Sequence, residues 1–191
     1  MIAIRNTTRF WGAGAQLLHW LMAAGIATSM VLGWVMVNMP AGSAQFRLYA
    51  LHKSLGITLL ALVALRLVWR WINVTPPLPD SLPRHERWLA KAGHRALYAL
   101  MLLMPLSGYV INSAANFPLN VFGLVQIPNL TPASESLGDL ASNLHLAFFW
   151  GFVAVLTAHI GGALRHHFVL RDNILRRMLP VRHASDDRSR S

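Results

Sequence analysis

The sequence predicts an all-α protein, a transmembrane four-helix bundle, on three observations. Four apolar blocks of twenty or more residues alternate with polar or proline-bearing connections. The chain of 191 residues is 54% hydrophobic and only 13% charged, too apolar for an ordinary soluble domain. The basic residues fall almost wholly on alternate connections, as they do in proteins that cross a membrane.

The first block covers about 12–37, after a tail containing Arg5 and Arg9. A signal peptide is the competing reading, because Ala-Gly-Ser-Ala follows at 41–44. The block is too long for a typical signal core and it contains His19, so a retained span is the better reading. The second block covers about 48–72, the third about 93–114 and the fourth about 143–168, each long enough to span as a helix. Residues 38–47 form a short turn. Residues 73–92 open with a proline-rich run and then turn basic, and 115–142 form a longer loop without Lys or Arg. Residues 1–180 are thus expected to form one membrane domain, followed by a polar basic tail at 181–191 whose last eight or so residues are disordered.

Fifteen of the seventeen Lys and Arg lie in or beside the N-terminal tail, the 73–92 connection and the C-terminal tail; Arg47 and Lys53 lie on the other side. The positive-inside rule puts both termini in the cytoplasm. Trp11, Trp20, Trp69, Trp71 and Trp88 gather near the inner boundary as an aromatic belt. Nothing resembles a nucleic-acid or nucleotide motif, so the net charge of +10 reads as topology and contact with membrane lipid. The absence of cysteine excludes disulfides, Cys-ligated clusters and covalent haem attachment, and leaves histidine as the strong metal ligand.

Histidines carry the chemistry. His145 and His159 stand fourteen positions apart in the fourth block, which returns to nearly the same helix face about 21 Å further along. With the orientation fixed, His52 is level with His145, and His19 with His159. Two stacked pairs of imidazoles suit two haems, each iron held on both faces, an arrangement for electron transfer. Small neighbours such as Ala23, Gly56, Gly161 and Gly162 leave room for a flat group. A histidine-lined proton or metal-ion path, the mark of a transporter, and plain polar packing are the alternatives that spacing leaves open. His94, at the start of the third block and shallower than the inner pair, reads as a partner for a haem propionate or a quinone oxygen. Arg66 and Arg70, one turn apart, read as propionate partners of the inner haem or as snorkelling side chains, and Lys53 could serve the outer haem. His85 and His183 read as solvated loop residues, and His166 with His167 as lipid-facing.

The segments LLHW at 17–20, LHKSLGI at 51–57, RLVWR at 66–70, AGHRALY at 92–98, SGYVI at 107–111, FG at 122–123, and RHHF with RDNILRRMLP in 165–180 resemble the prokaryotic cytochrome b561 family of small di-haem membrane proteins. The likeness covers nearly everything from Arg9 to Pro180. It implies two b haems between the helices, with His19, His52, His145 and His159 as axial ligands. It also implies a bacterial inner-membrane location and ubiquinone as redox partner. The electron donor it implies is superoxide, as for a superoxide oxidase, or a periplasmic redox protein.

Overall fold

The computed structural model describes residues 3–78 and 82–179. The tail at 181–191, with His183 and its expected disorder, lies outside the described residues. Four long helices run Ala13–Val37 (α1), Ser43–Ile72 (α2), Arg84–Ala114 (α3) and Glu135–Phe168 (α4). Each is long and apolar enough to cross a membrane. A two-stranded antiparallel hairpin, Leu119–Val121 (β1) and Val125–Ile127 (β2), interrupts the α3–α4 connection.

Three helices begin earlier than hydropathy marks them: α2 at Ser43, α3 at Arg84 and α4 at Glu135. Hydropathy locates the lipid-facing stretch, whereas the backbone ladder continues into polar sequence until a cap or a proline stops it. Ser134 is such a cap, its Oγ accepting from Leu137 N at 3.4 Å. Pro83, just before α3, lacks the N–H a further turn would need. His85 is therefore an exposed residue of α3 and not of a loop.

The helices pack in sequence, α1 on α2, α2 on α3, and α3 most extensively on α4. α4 approaches α1 and α2 more loosely, which leaves a slot along the bundle. The core is small, with Met22, Leu59, Val63 and Phe152 among its buried members, while Leu17, Leu21, Val31 and Trp71 face outward. That distribution suits lipid as solvent, because a helix meets nearly all of its backbone hydrogen bonds internally.

An even number of long helices brings the first and last described residues, 3 and 179, to one end, called here the terminal end. There Trp20 Nε1 donates to Met178 O at 2.8 Å and Gln16 Nε2 to Arg177 O at 3.2 Å. Arg177 Nη1 donates to Pro77 O at 3.0 Å, and burial pushes its guanidinium below the ordinary arginine value. His166 is held between carboxylates, with Nδ1 at 2.6 Å from Asp172 Oδ2 and Nε2 at 4.0 Å from Glu86 Oε2. It is thus a tie between α4 and α3 rather than a simple lipid contact.

At the opposite, hairpin end, Leu124 N donates to Val121 O at 2.9 Å across a turn in which Phe122 and Gly123 have φ of 51° and 72°. Two positive φ values make a type I′ turn, the form that matches strand twist. Glycine adopts this region freely; phenylalanine there costs on the order of 1 kcal/mol.

Candidate functional site

Both histidine pairs meet across the slot. His52, nine residues from the start of α2, and His145, ten from the start of α4, have ring centroids 6.4 Å apart at an interplanar angle of 75°. His19 of α1 and His159 of α4 are 6.3 Å apart at 61°. The metal–imidazole bond is about 2.0 Å, and an imidazole nitrogen lies about 1.1 Å from its ring centre, so two rings on one iron stand roughly 6.2 Å apart. Both pairs fit that spacing.

The hairpin-end pair opens into a cavity walled by Met22, Ile26, Leu59, Met104, Phe149 and Phe152. Cofactor pockets are mostly apolar, and so is this lining. Gly56 lines this cavity, and a methyl group added there would meet nothing within 4 Å. A flat, largely apolar macrocycle suits such a space.

The hydrogen bonds behind these two rings fix which nitrogen faces the slot. His52 Nδ1 lies 3.0 Å from Ser29 O. A carbonyl only accepts, so the proton is on Nδ1 and the Nε2 lone pair is free. Ser107 Oγ donates to Met104 O at 2.9 Å and lies 2.8 Å from His145 Nδ1. Its hydrogen is committed to Met104, so its oxygen accepts from His145 Nδ1–H and again leaves Nε2 free. Such outer contacts orient a metal-ligating imidazole and raise its basicity. Two glycines allow the close approach: a methyl on Gly33 would stand 3.1 Å from His52 Cε1, and one on Gly108 3.3 Å from His145 Cε1.

The terminal-end pair is set differently. Arg66 Nη2 lies 3.3 Å from His19 Nδ1, and its Nε donates to Tyr98 OH at 3.1 Å. Arginine only donates, so His19 Nδ1 accepts and the proton sits on Nε2. Ligation through Nε2 requires Arg66 to release this nitrogen. Arg70 lies over the Tyr98 ring, 5.7 Å from its centroid.

His94 departs from the sequence expectation. Because α3 begins at Arg84, His94 is ten residues into the helix and not at its opening. Its ring lies 5.4 Å from that of His159, level with the inner pair rather than shallower. At the hairpin end Lys53 Nζ donates to Asn112 Oδ1 at 3.0 Å and lies 5.9 Å from the Phe117 ring centre. Among the described residues, no group of three or more His, Asp or Glu side chains is placed to hold a bare metal ion.

Ser29, Gly33 and Asn112 were not singled out by sequence, and Ser107 and Gly108 entered only within the SGYVI segment, with no role given to either. Gly33 and Gly108 belong to no sequence pattern tied to the histidines, and which small residue faces which ring depends on how two helices pack.

Comparison with known proteins shows the family. The family model described as prokaryotic cytochrome b561 matches residues 10–181. The chain is 35% identical over 180 residues to cytochrome b561 homolog 2 of Escherichia coli, covering 93% of this chain and 95% of that protein. It is 30% identical over 172 residues to cytochrome b561 homolog 1 of the same organism, covering 86% and 94%. It is 29% identical over 166 residues to the protein named probable superoxide oxidase CybB of Yersinia pestis, covering 85% and 92%.

Proposed function

Since this chain belongs to the prokaryotic cytochrome b561 family of membrane electron-transfer proteins, we propose that it carries electrons between two b haems to or from ubiquinone. His52 and His145 hold one haem, and His19 and His159 hold the other. The observation that carries this reading is the matched ring spacing, 6.4 and 6.3 Å. His19 is preferred to His94 as the partner of His159, because 5.4 Å is too short for an iron between two imidazoles, which needs roughly 6.2 Å.

A b haem held between two imidazoles would supply one-electron transfer. The chain's own residues supply the rest. Ser29 and Ser107 hold His52 and His145 with Nε2 toward the slot. The apolar wall excludes water. Arg66 and Arg70 take propionate carboxylates at the terminal end, Arg66 releasing His19 Nδ1, and Lys53 serves the hairpin end. His94 and Tyr98 are placed to hydrogen-bond a ubiquinone oxygen.

The terminal end faces the cytoplasm, by the distribution of Lys and Arg. The donor at the hairpin end is superoxide or a periplasmic redox protein, and the relative named probable superoxide oxidase favours superoxide. Two superoxide ions would each give up one electron to become dioxygen, and ubiquinone would take two electrons and two protons to become ubiquinol. The membrane domain runs from residue 1 to 180, with 181–191 as an appended tail.

The test is a dithionite-reduced minus oxidised spectrum of the purified protein, together with haem per chain. Low-spin b-type bands with two haems per chain are expected. Absence of b-type bands, or one haem per chain with all four histidines intact, refutes the reading.

A further inference from the structure

Residues 115–134 carry no charged side chain, yet the hairpin they contain leaves large apolar groups open. Leu124 is 84% exposed, Val125 61% and Phe122 53%. A loop standing in water dilutes such a patch with charge, and an undiluted one marks a surface that something apolar covers.

The attachment of the hairpin says what covers it. Phe122 N donates to Ser54 Oγ at 2.9 Å, and the same oxygen lies 3.2 Å from Asn120 O. Ser54 is six residues inside the apolar stretch that starts at Leu48, which is about 9 Å of helix rise. Irregular backbone at that depth must have its polar groups met by protein, because water is scarce there. Ser54 meets the Phe122 N–H, its own hydrogen being shared between Ala50 O at 2.8 Å and Asn120 O. Asn112 Nδ2 pins the approach by donating to Phe117 O at 2.8 Å. The hairpin is therefore packed down onto α2 at membrane depth, covering Ser54, rather than raised above the helix.

The turn residue points the same way. A type I′ turn favours Asn or Gly at its first central position, but Phe122 stands there at φ 51°. An aromatic side chain kept in that backbone conformation, at the edge of a membrane, matches the enrichment of aromatic rings at the headgroup level.

We propose that the β1–β2 hairpin is a membrane-interface anchor whose Phe122, Leu124 and Val125 sit among the lipid headgroups and upper acyl chains. The occupant of the apolar patch is the lipid surface of the protein's own membrane. The anchor holds the loop against α2 beside Lys53, one residue from His52.

The chain contains no cysteine, so Leu124→Cys carries a single spin label without background. The full-length, haem-loaded protein is placed in nanodiscs of phosphatidylethanolamine and phosphatidylglycerol. Collision of the label with oxygen, which enriches in lipid, is compared with collision with a water-soluble nickel chelate. Glu135→Cys, exposed at the start of α4, is the aqueous reference. The oxygen-to-nickel ratio is expected to be several-fold higher at Leu124→Cys than at Glu135→Cys. Val125→Cys repeats the measurement should Leu124→Cys assemble poorly. A ratio equal to the reference at either hairpin position overturns the proposal, and the patch then stands in water for a protein to cover.

Discussion

Replacing Gly33 by alanine separates crowding at the site from the stability of the helix. A methyl group there would stand 3.1 Å from His52 Cε1 and 3.5 Å from Nδ1. Carbon atoms pack at about 3.5–4.0 Å, so the ring must retreat by about 0.4 Å or more. The retreat works against the contact between His52 Nδ1 and Ser29 O, now 3.0 Å. Overpacking of this kind costs about 1–3 kcal/mol. Alanine also favours the helix over glycine by about 1 kcal/mol. The two effects act on different states. Haem-free protein gains the propensity term, and its unligated ring can turn aside. Haem-loaded protein feels the crowding, because Nε2 is then fixed on the iron. Gly33→Ala is therefore expected to preserve or slightly raise the melting temperature of the haem-free protein. It should weaken haem retention at His52 and His145 by about 5- to 150-fold. Competition with a haem-scavenging protein, followed through the low-spin signals, measures this. Equal weakening at both pairs, or none at the hairpin-end pair, would refute the geometry.

Ser107→Ala should lower haem affinity at the same pair by about 10- to 100-fold, because His145 Nδ1–H loses its acceptor. Ser107→Thr, which restores the hydroxyl, should recover most of it in the same competition assay. His94→Ala should keep both low-spin signals while ubiquinone turnover falls, measured as quinone reduction by the haem-loaded protein; loss of a low-spin signal would make His94 a ligand. Reporter fusions should place both termini and 73–92 in the cytoplasm and 115–142 outside, and an external C-terminus would reverse the assignment of donor and quinone sides.

Much of this arrangement was legible because membrane depth is a one-dimensional quantity. The levels of His52 and His145 survive even though α2 and α4 both begin earlier than hydropathy suggests, since both starts move outward in the same direction. His94 had no such cancellation. Only the start of α3 mattered, and the polar sequence from Arg84 conceals about two and a half turns of helix from a hydropathy reading. The hairpin was missed for a related reason. Its strands are three residues each, too short for alternation to register, and Phe122-Gly123 is not one of the dipeptides that announce a tight turn. Contacts between helices were beyond reach. Nothing in the sequence ties Gly33 to His52, Ser107 to His145 or Arg66 to His19, because each depends on the rotation of one helix against another.

The central claim is that four histidines form two separate pairs. Electron paramagnetic resonance of the purified His52→Ala and His19→Ala proteins tests it most directly. His52→Ala should abolish one low-spin signal and leave the other unchanged, and His19→Ala should do the converse. If His52→Ala and His19→Ala remove the same signal, or if His19→Ala spares both while His94→Ala removes one, the pairing is contradicted.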